Sequence, residues 1–234
     1  MDDSKLEHSA VTEKKSQSNV KSKSTRRRIY PVFLCILLVG GGIWLWKEVI
    51  EDRVIPKRFG VVHQGLIYRS GRISATLIKK TLVKHNIRVI VDLTHDEPEN
   101  ADQQVEKRAA AELNIKRLVF PLKGDGTGDI NNYAKAIAAI VEAKRNNTPV
   151  LVHCAAGAQR TGGVIAAYRL LVERKSCSFV LEELADYNWD PEDDTILLDY
   201  LNNHMAELAR LIKQERVIDE VPSPLPKLHV KNKR

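Results

Sequence analysis

Between residues 54 and 214, short apolar runs rich in β-branched residues alternate with segments of helical period, and this alternation restricts the fold more than any other feature. Arg88-Val-Ile-Val-Asp-Leu93 and Pro149-Val-Leu-Val-His153 lack the in/out alternation of a half-exposed strand, so both read as strands covered on two faces. Val61–His63 and Leu66–Tyr68 flank Gln64-Gly65 as a short hairpin, and Lys116–Leu122 reads as a further strand. Ser74 is placed to cap a helix running to Asn86; Pro98–Asn114 and Ile130–Arg145 read as helices. Others are expected at 160–174, 177–187 and 193–214, the last with Leu197, Leu201, Met205, Leu208 and Ile212 at helical spacing. The pattern predicts an α/β domain with a mostly parallel central sheet flanked by helices. Functional loops of such sheets gather beyond the carboxyl ends of the strands, which brings loops 94–98, 123–129 and 154–160 to one edge.

Charge is distributed unevenly. Of a net +7, residues 1–28 hold eight Lys/Arg against four Asp/Glu and residues 217–234 hold four against two, which leaves the middle nearly neutral. A nucleic-acid-binding face therefore has little support. Cys35, Cys154 and Cys177 stand apart, without a CxxC pair or His/Cys ligand spacing, which argues against a zinc site and a disulfide framework; no metal and no cofactor is expected.

The ends read differently from the middle. Residues 1–28 are polar and basic enough to be a disordered tail, and 215–234, Pro-rich and basic, a flexible one. Ile29–Trp46 is eighteen residues without a charge, with Tyr30 at one end and Trp44 and Trp46 at the other, the pattern of a single-pass transmembrane anchor. Lys21, Lys23 and Arg26–Arg28 crowd its N-terminal flank, so the positive-inside rule puts the N-terminus in the cytoplasm; the domain that follows would then lie outside it, a side left open.

The chemistry lies in His153-Cys154-Ala155-Ala156-Gly157-Ala158-Gln159-Arg160-Thr161. A buried strand here runs into a short loop and then a helix. Backbone N–H groups of 155–159 can turn inward and join the helix N-terminus as a cradle for a phosphate dianion. A cysteine at the base of such a cradle is favoured as the thiolate, which is the nucleophilic form. Arg160 can clamp two phosphoryl oxygens side by side, and Gly157 permits a tight turn close to the ligand. Thr161 can offer its hydroxyl to the sulfur, and His153 reads as an orienting support rather than as the base.

His-Cys-x5-Arg-Thr at the end of a buried strand resembles the signature of the protein tyrosine phosphatase superfamily, and the loop is similar to that of atypical dual-specificity phosphatases. The likeness covers about residues 54–214 and includes Tyr68-Arg69-Ser70-Gly71. It implies a cysteine-phosphatase fold, a phosphocysteine intermediate, and an Asp about thirty residues before the cysteine that acts as general acid and base. Asp125 stands 29 residues upstream between glycines and is favoured; Asp129, 25 upstream, is also placed to cap the following helix. The Trp-Pro-Asp loop of the tyrosine-specific branch is missing, and Trp189-Asp190-Pro191 reads as a helix boundary.

The leading expectation is a membrane-anchored phosphatase of phosphotyrosine, and of phosphoserine and phosphothreonine, in proteins. A lipid-phosphate phosphatase is the alternative that the anchor favours and the alanine-rich loop disfavours; a phosphopeptide-binding module ranks last because Cys154 is present. His95, Asp96 and Glu97 read as solvated turn residues, and Arg69 and Arg72 as candidates for contacting a second anionic group.

Overall fold

The computed structural model describes residues 34–35, 38–40, 55–190 and 194–229. Strands β1 (Gly60–His63), β2 (Ile67–Ser70), β3 (Val89–Asp92), β4 (Lys116–Val119) and β5 (Val150–His153) form one sheet in the order β1-β2-β5-β3-β4. β1 and β2 make the expected antiparallel hairpin, and all other pairings are parallel. The helices are α1 (Ile78–Lys84), α2 (Ala101–Glu112), α3 (Ile130–Arg145), α4 (Gln159–Leu171), α5 (Cys177–Asp186) and α6 (Thr195–Gln214).

Alternate residues of the central strands enter different cores, which explains their unbroken apolar character. Val150, Val152 and Val91 pack with α3, α4, α5 and α6 on one face. Leu151 and Ile90 pack with Ile78 and Leu82 of α1 and Ala109 and Ala110 of α2 on the other. Register then fixes the site: Ser70 and Asp92 both pair with His153, and Asp92 also pairs with Val119. The four parallel strands end together, so their following loops open at one edge.

Three expectations are corrected. The helix assigned to begin at Ser74 begins at Ile78; the Ser74 hydroxyl meets the Thr76 hydroxyl, and it is the Ser74 carbonyl that accepts from the N–H of Ile78 at 3.0 Å. β4 stops at Val119, short of the expected Leu122, because the register slips there: Phe120 still donates to Asp92, but Leu122 donates to Leu93, one residue on instead of two. Residues 215–229, expected to be flexible, are docked: Leu228 is buried, and its N–H and carbonyl both bond the Asn202 side chain at 2.8 Å.

The membrane placement is also corrected. Among the described residues no helix is long and apolar enough to cross a membrane. Of the span 29–46 only 34–35 and 38–40 are described; the rest of it, like the tail 1–28, lies outside the described residues.

Candidate active site

β5 is the middle strand of the sheet, and Cys154 follows its last residue with 1% of its surface exposed. The loop after it is tied from outside by its carbonyls. Ala155 O accepts from the Arg72 N–H at 3.0 Å, Ala156 O from Arg58 Nη1 at 2.8 Å, and Gly157 O from Arg69 Nη2 at 3.1 Å. With three successive carbonyls drawn outward, the intervening N–H groups are free to face the sulfur side, and the Gly157 N–H donates to Cys154 Sγ at 3.1 Å. Gly157 adopts φ +86°, and a Cβ on it would lie 2.5 Å from the Gly71 nitrogen; a Cβ on Gly71 would lie 2.7 Å from the Ala156 carbonyl oxygen. Two glycines let the end of β2 and the loop touch backbone to backbone.

α4 continues from Ala158, which supplies no capping side chain, and its first turn holds no acid. Its leading N–H groups are left for an anion. Arg160 is half-buried on this turn, with Nε buried and without a protein acceptor, and Gln159 Oε1 is likewise unpartnered. Thr161 is fully buried, and its hydroxyl lies 3.4 Å from the Ser70 carbonyl. It therefore links α4 to the end of β2, while the Gly157 N–H is the group that meets the sulfur.

Behind the cysteine lies a closed ion network. His153 is buried, with Nε2 3.1 Å from Glu106 Oε2 in an ion pair. Arg117 bridges Glu106, at 3.1 Å, and Asp92, whose other oxygen accepts from the Thr94 N–H and hydroxyl. Burial alone would lower the imidazolium, but Glu106 and then Asp92 outweigh it and raise His153 to about 9. Burial would likewise raise Glu106, and His153 and Arg117 hold it below the usual range. Asp92, Glu106 and His153 place ligand atoms within 4.8 Å of one another, but two carboxylates already meet a guanidinium and an imidazolium, so the cluster has no excess negative charge to attract a cation.

The loop 123–129 lies against the loop that follows Cys154. A Cβ on Gly126 (φ +89°) would be 3.3 Å from the Gln159 carbonyl oxygen. Asp125 is exposed, its Oδ1 accepting from the Thr127 N–H at 2.9 Å and hydroxyl at 2.8 Å, and these bonds hold its carboxyl below the ordinary range. Asp129 caps α3, accepting from the Asn131 N–H. Of the other rim residues, Asp96 pairs with Lys107 and Glu97 with Arg72.

The family model for the dual specificity phosphatase catalytic domain matches residues 68–188, more than half of the chain. The chain belongs to that family. A dual specificity protein phosphatase of vaccinia virus (strain Copenhagen) is 38% identical over 85 residues, 36% of this chain and 49% of the viral one. A "probable dual specificity protein phosphatase" of Dictyostelium discoideum is 24% identical over 179 residues, 76% of each chain. The chain spans about half the length of the viral relatives it matches. Two solved structures share the fold: P. aeruginosa TpbA, with a TM-score of 0.54, 22% identity and coverage of 68% of this chain and 91% of that one, and the core catalytic domain of the PP-IP phosphatase Siw14 from S. cerevisiae, with a TM-score of 0.54, 20% identity and coverage of 73% and 97%.

In this dual specificity phosphatase domain several residues near the site escape sequence reasoning. Arg69 is the largest fully buried side chain among the described residues, stacked 3.7 Å from the Tyr187 ring centre behind Gly157. Burial lowers its pKa to about 10. Arg69 and the Glu97-bound Arg72 are therefore committed inside the protein rather than offered to a second anionic group. Arg58, Glu106 and Arg117 are scattered along the chain with no local pattern; Arg69, within Tyr68-Arg69-Ser70-Gly71, and Arg72 stood out in the sequence, but not as braces of the loop.

The His153 pair makes stability pH-dependent. Because the folded-state pKa exceeds the ordinary 6.5, its stabilisation is complete below about pH 6.5 and is lost as pH rises through about 9. Urea denaturation at pH 6.5 and pH 10 is expected to differ by on the order of 3 kcal/mol. A flat profile would mean that His153 is neutral throughout.

Proposed function

We propose that the protein is a cysteine-dependent phosphatase of phosphotyrosine, and of phosphoserine and phosphothreonine, with residues 54–214 as the catalytic domain. The observation that carries this reading is the loop whose three carbonyls are tied outward above a buried Cys154. Inward N–H groups of 155–159 and the Arg160 guanidinium bind the phosphoryl oxygens. Cys154 Sγ attacks phosphorus; the S–P bond forms as the bond to the leaving oxygen breaks, and Asp125 gives that oxygen its proton. Asp125 then takes a proton from water, the water oxygen attacks phosphorus, and the thiolate leaves with the S–P electron pair as inorganic phosphate is released. Asp125 must leave Thr127 to do this.

Asp125 is favoured over Asp129 because Asp129 is spent on capping α3. Asp125→Asn is expected to lower kcat by about 10²–10⁴-fold, most for poor leaving groups. Asp129→Asn keeps a capping side chain and should leave kcat near normal; the opposite ranking would transfer the acid role to Asp129.

The lipid-phosphate reading drew its support from the membrane anchor, and the rim does not replace that support, since Arg69 and Arg72 are engaged within the protein. A side-by-side assay of the full chain on a phosphotyrosine peptide, a phosphothreonine peptide and phosphoinositide vesicles, with Cys154→Ser as background, tests the substrate class. Turnover of the peptides is expected; turnover of the vesicles alone would overturn the protein-substrate reading.

A further inference from the structure

Tyr133 in α3 is fully buried and donates its hydroxyl hydrogen to the carbonyl of Gly126, the residue after Asp125. The contact depends on a third element. A Cβ on Gly163 of α4 would lie 2.3 Å from the Tyr133 hydroxyl oxygen, so a glycine there makes the room this hydroxyl occupies. From α6, Tyr200 donates to the Gly128 carbonyl at 2.8 Å, its ring 5.8 Å from that of Tyr133. The loop is also closed on itself, the Lys123 N–H donating to Thr127 O at 2.8 Å and the Gly126 N–H to Lys123 O at 2.9 Å. These bonds dock the loop against α3 and α6. Burial first, then the charges of Tyr200, Asp125 and Cys154, raise the Tyr133 phenol well above its usual pKa, so the hydroxyl remains a donor throughout the working pH range.

We propose that Tyr133 is a positioning residue for the general acid: its hydroxyl, anchored between α3 and α4, holds the Gly126 carbonyl so that Asp125 stands ready beside the phosphate loop. Tyr200 supports the far end of the same loop. The inference rests on Asp125 being the acid. It makes the loop preorganised, since proton donation needs a rotation of the Asp125 side chain away from Thr127 and no large movement of backbone. Removing one hydroxyl leaves the Gly126 carbonyl unpaired and releases the loop without opening a cavity larger than one oxygen.

The test compares full-length wild type, Tyr133→Phe, Asp125→Asn and the double variant on aryl phosphates with good and poor leaving groups. Tyr133→Phe is expected to lower kcat about 10–100-fold for the poor leaving group and only slightly for the good one, with inorganic phosphate inhibiting as in wild type. In the Asp125→Asn background the same substitution should cost almost nothing further, because both changes remove one function. Equal slowing of good and poor leaving groups, or full additivity in the double variant, would reduce Tyr133 to a structural role and overturn the proposal. If Asp125→Asn itself shows no leaving-group dependence, the acid assignment falls and the clamp with it. An Asp125→Asn effect without a Tyr133→Phe counterpart overturns the clamp alone.

Discussion

Replacing Cys154 by serine is expected to cut turnover of a small aryl phosphate by about 10⁶-fold, the order of loss that follows removal of a catalytic nucleophile. Inorganic phosphate should still bind, because the loop carbonyls remain tied to Arg58, Arg69 and Arg72 and the Arg160 side chain is untouched. Turnover measured with the full chain and phosphate affinity measured by calorimetry separate the two effects. Turnover close to wild type would remove the phosphocysteine mechanism, and loss of phosphate binding would mean that the sulfur, rather than the backbone, builds the cradle.

Gly157→Ala is expected to produce the largest loss of stability, about 2–5 kcal/mol from left-handed backbone strain and overpacking together. The added Cβ would meet the Gly71 nitrogen at 2.5 Å and the Ser70 carbonyl carbon at 2.8 Å. These are backbone atoms at the end of a fully buried strand and cannot swing aside as a side-chain tip would. Phosphate affinity should fall with stability, since the Gly157 N–H and carbonyl are both engaged, one with Cys154 and the other with Arg69. Gly71→Ala presses on Ala156 from the opposite side, so the two substitutions should not add. Urea denaturation and phosphate titration of each variant check this; wild-type behaviour in Gly157→Ala would mean that β2 and the loop are not in backbone contact.

Sequence reading and structure part company where contact is non-local. Ile130–Arg145 matches α3 end for end because Asp129 caps it with a side chain, a local interaction visible in the sequence. Ser74 offered the same signal and failed, because its hydroxyl found Thr76 instead. Residues 215–229 looked loose by composition, yet Asn202, on a different element, pairs with both polar backbone groups of Leu228. The apolar run at 29–46 satisfied a hydropathy rule, but no spanning helix exists among the described residues.

The sequence by itself determined which side chains are candidates for the chemistry and at which edge of the sheet they lie. Strand period, a loop of fixed length and a helix start are all local, and they place Cys154, Gly157 and Arg160 within one turn of chain. What only the tertiary structure decided is how that loop is held. Arg58, Arg69 and Arg72 reach it from more than eighty residues away in sequence, and Tyr133 reaches Gly126 from α3 while leaning on Gly163. Such contacts are made by backbone carbonyls, which every residue carries, so nothing in the identity of Ala155, Ala156 or Gly126 could have announced them.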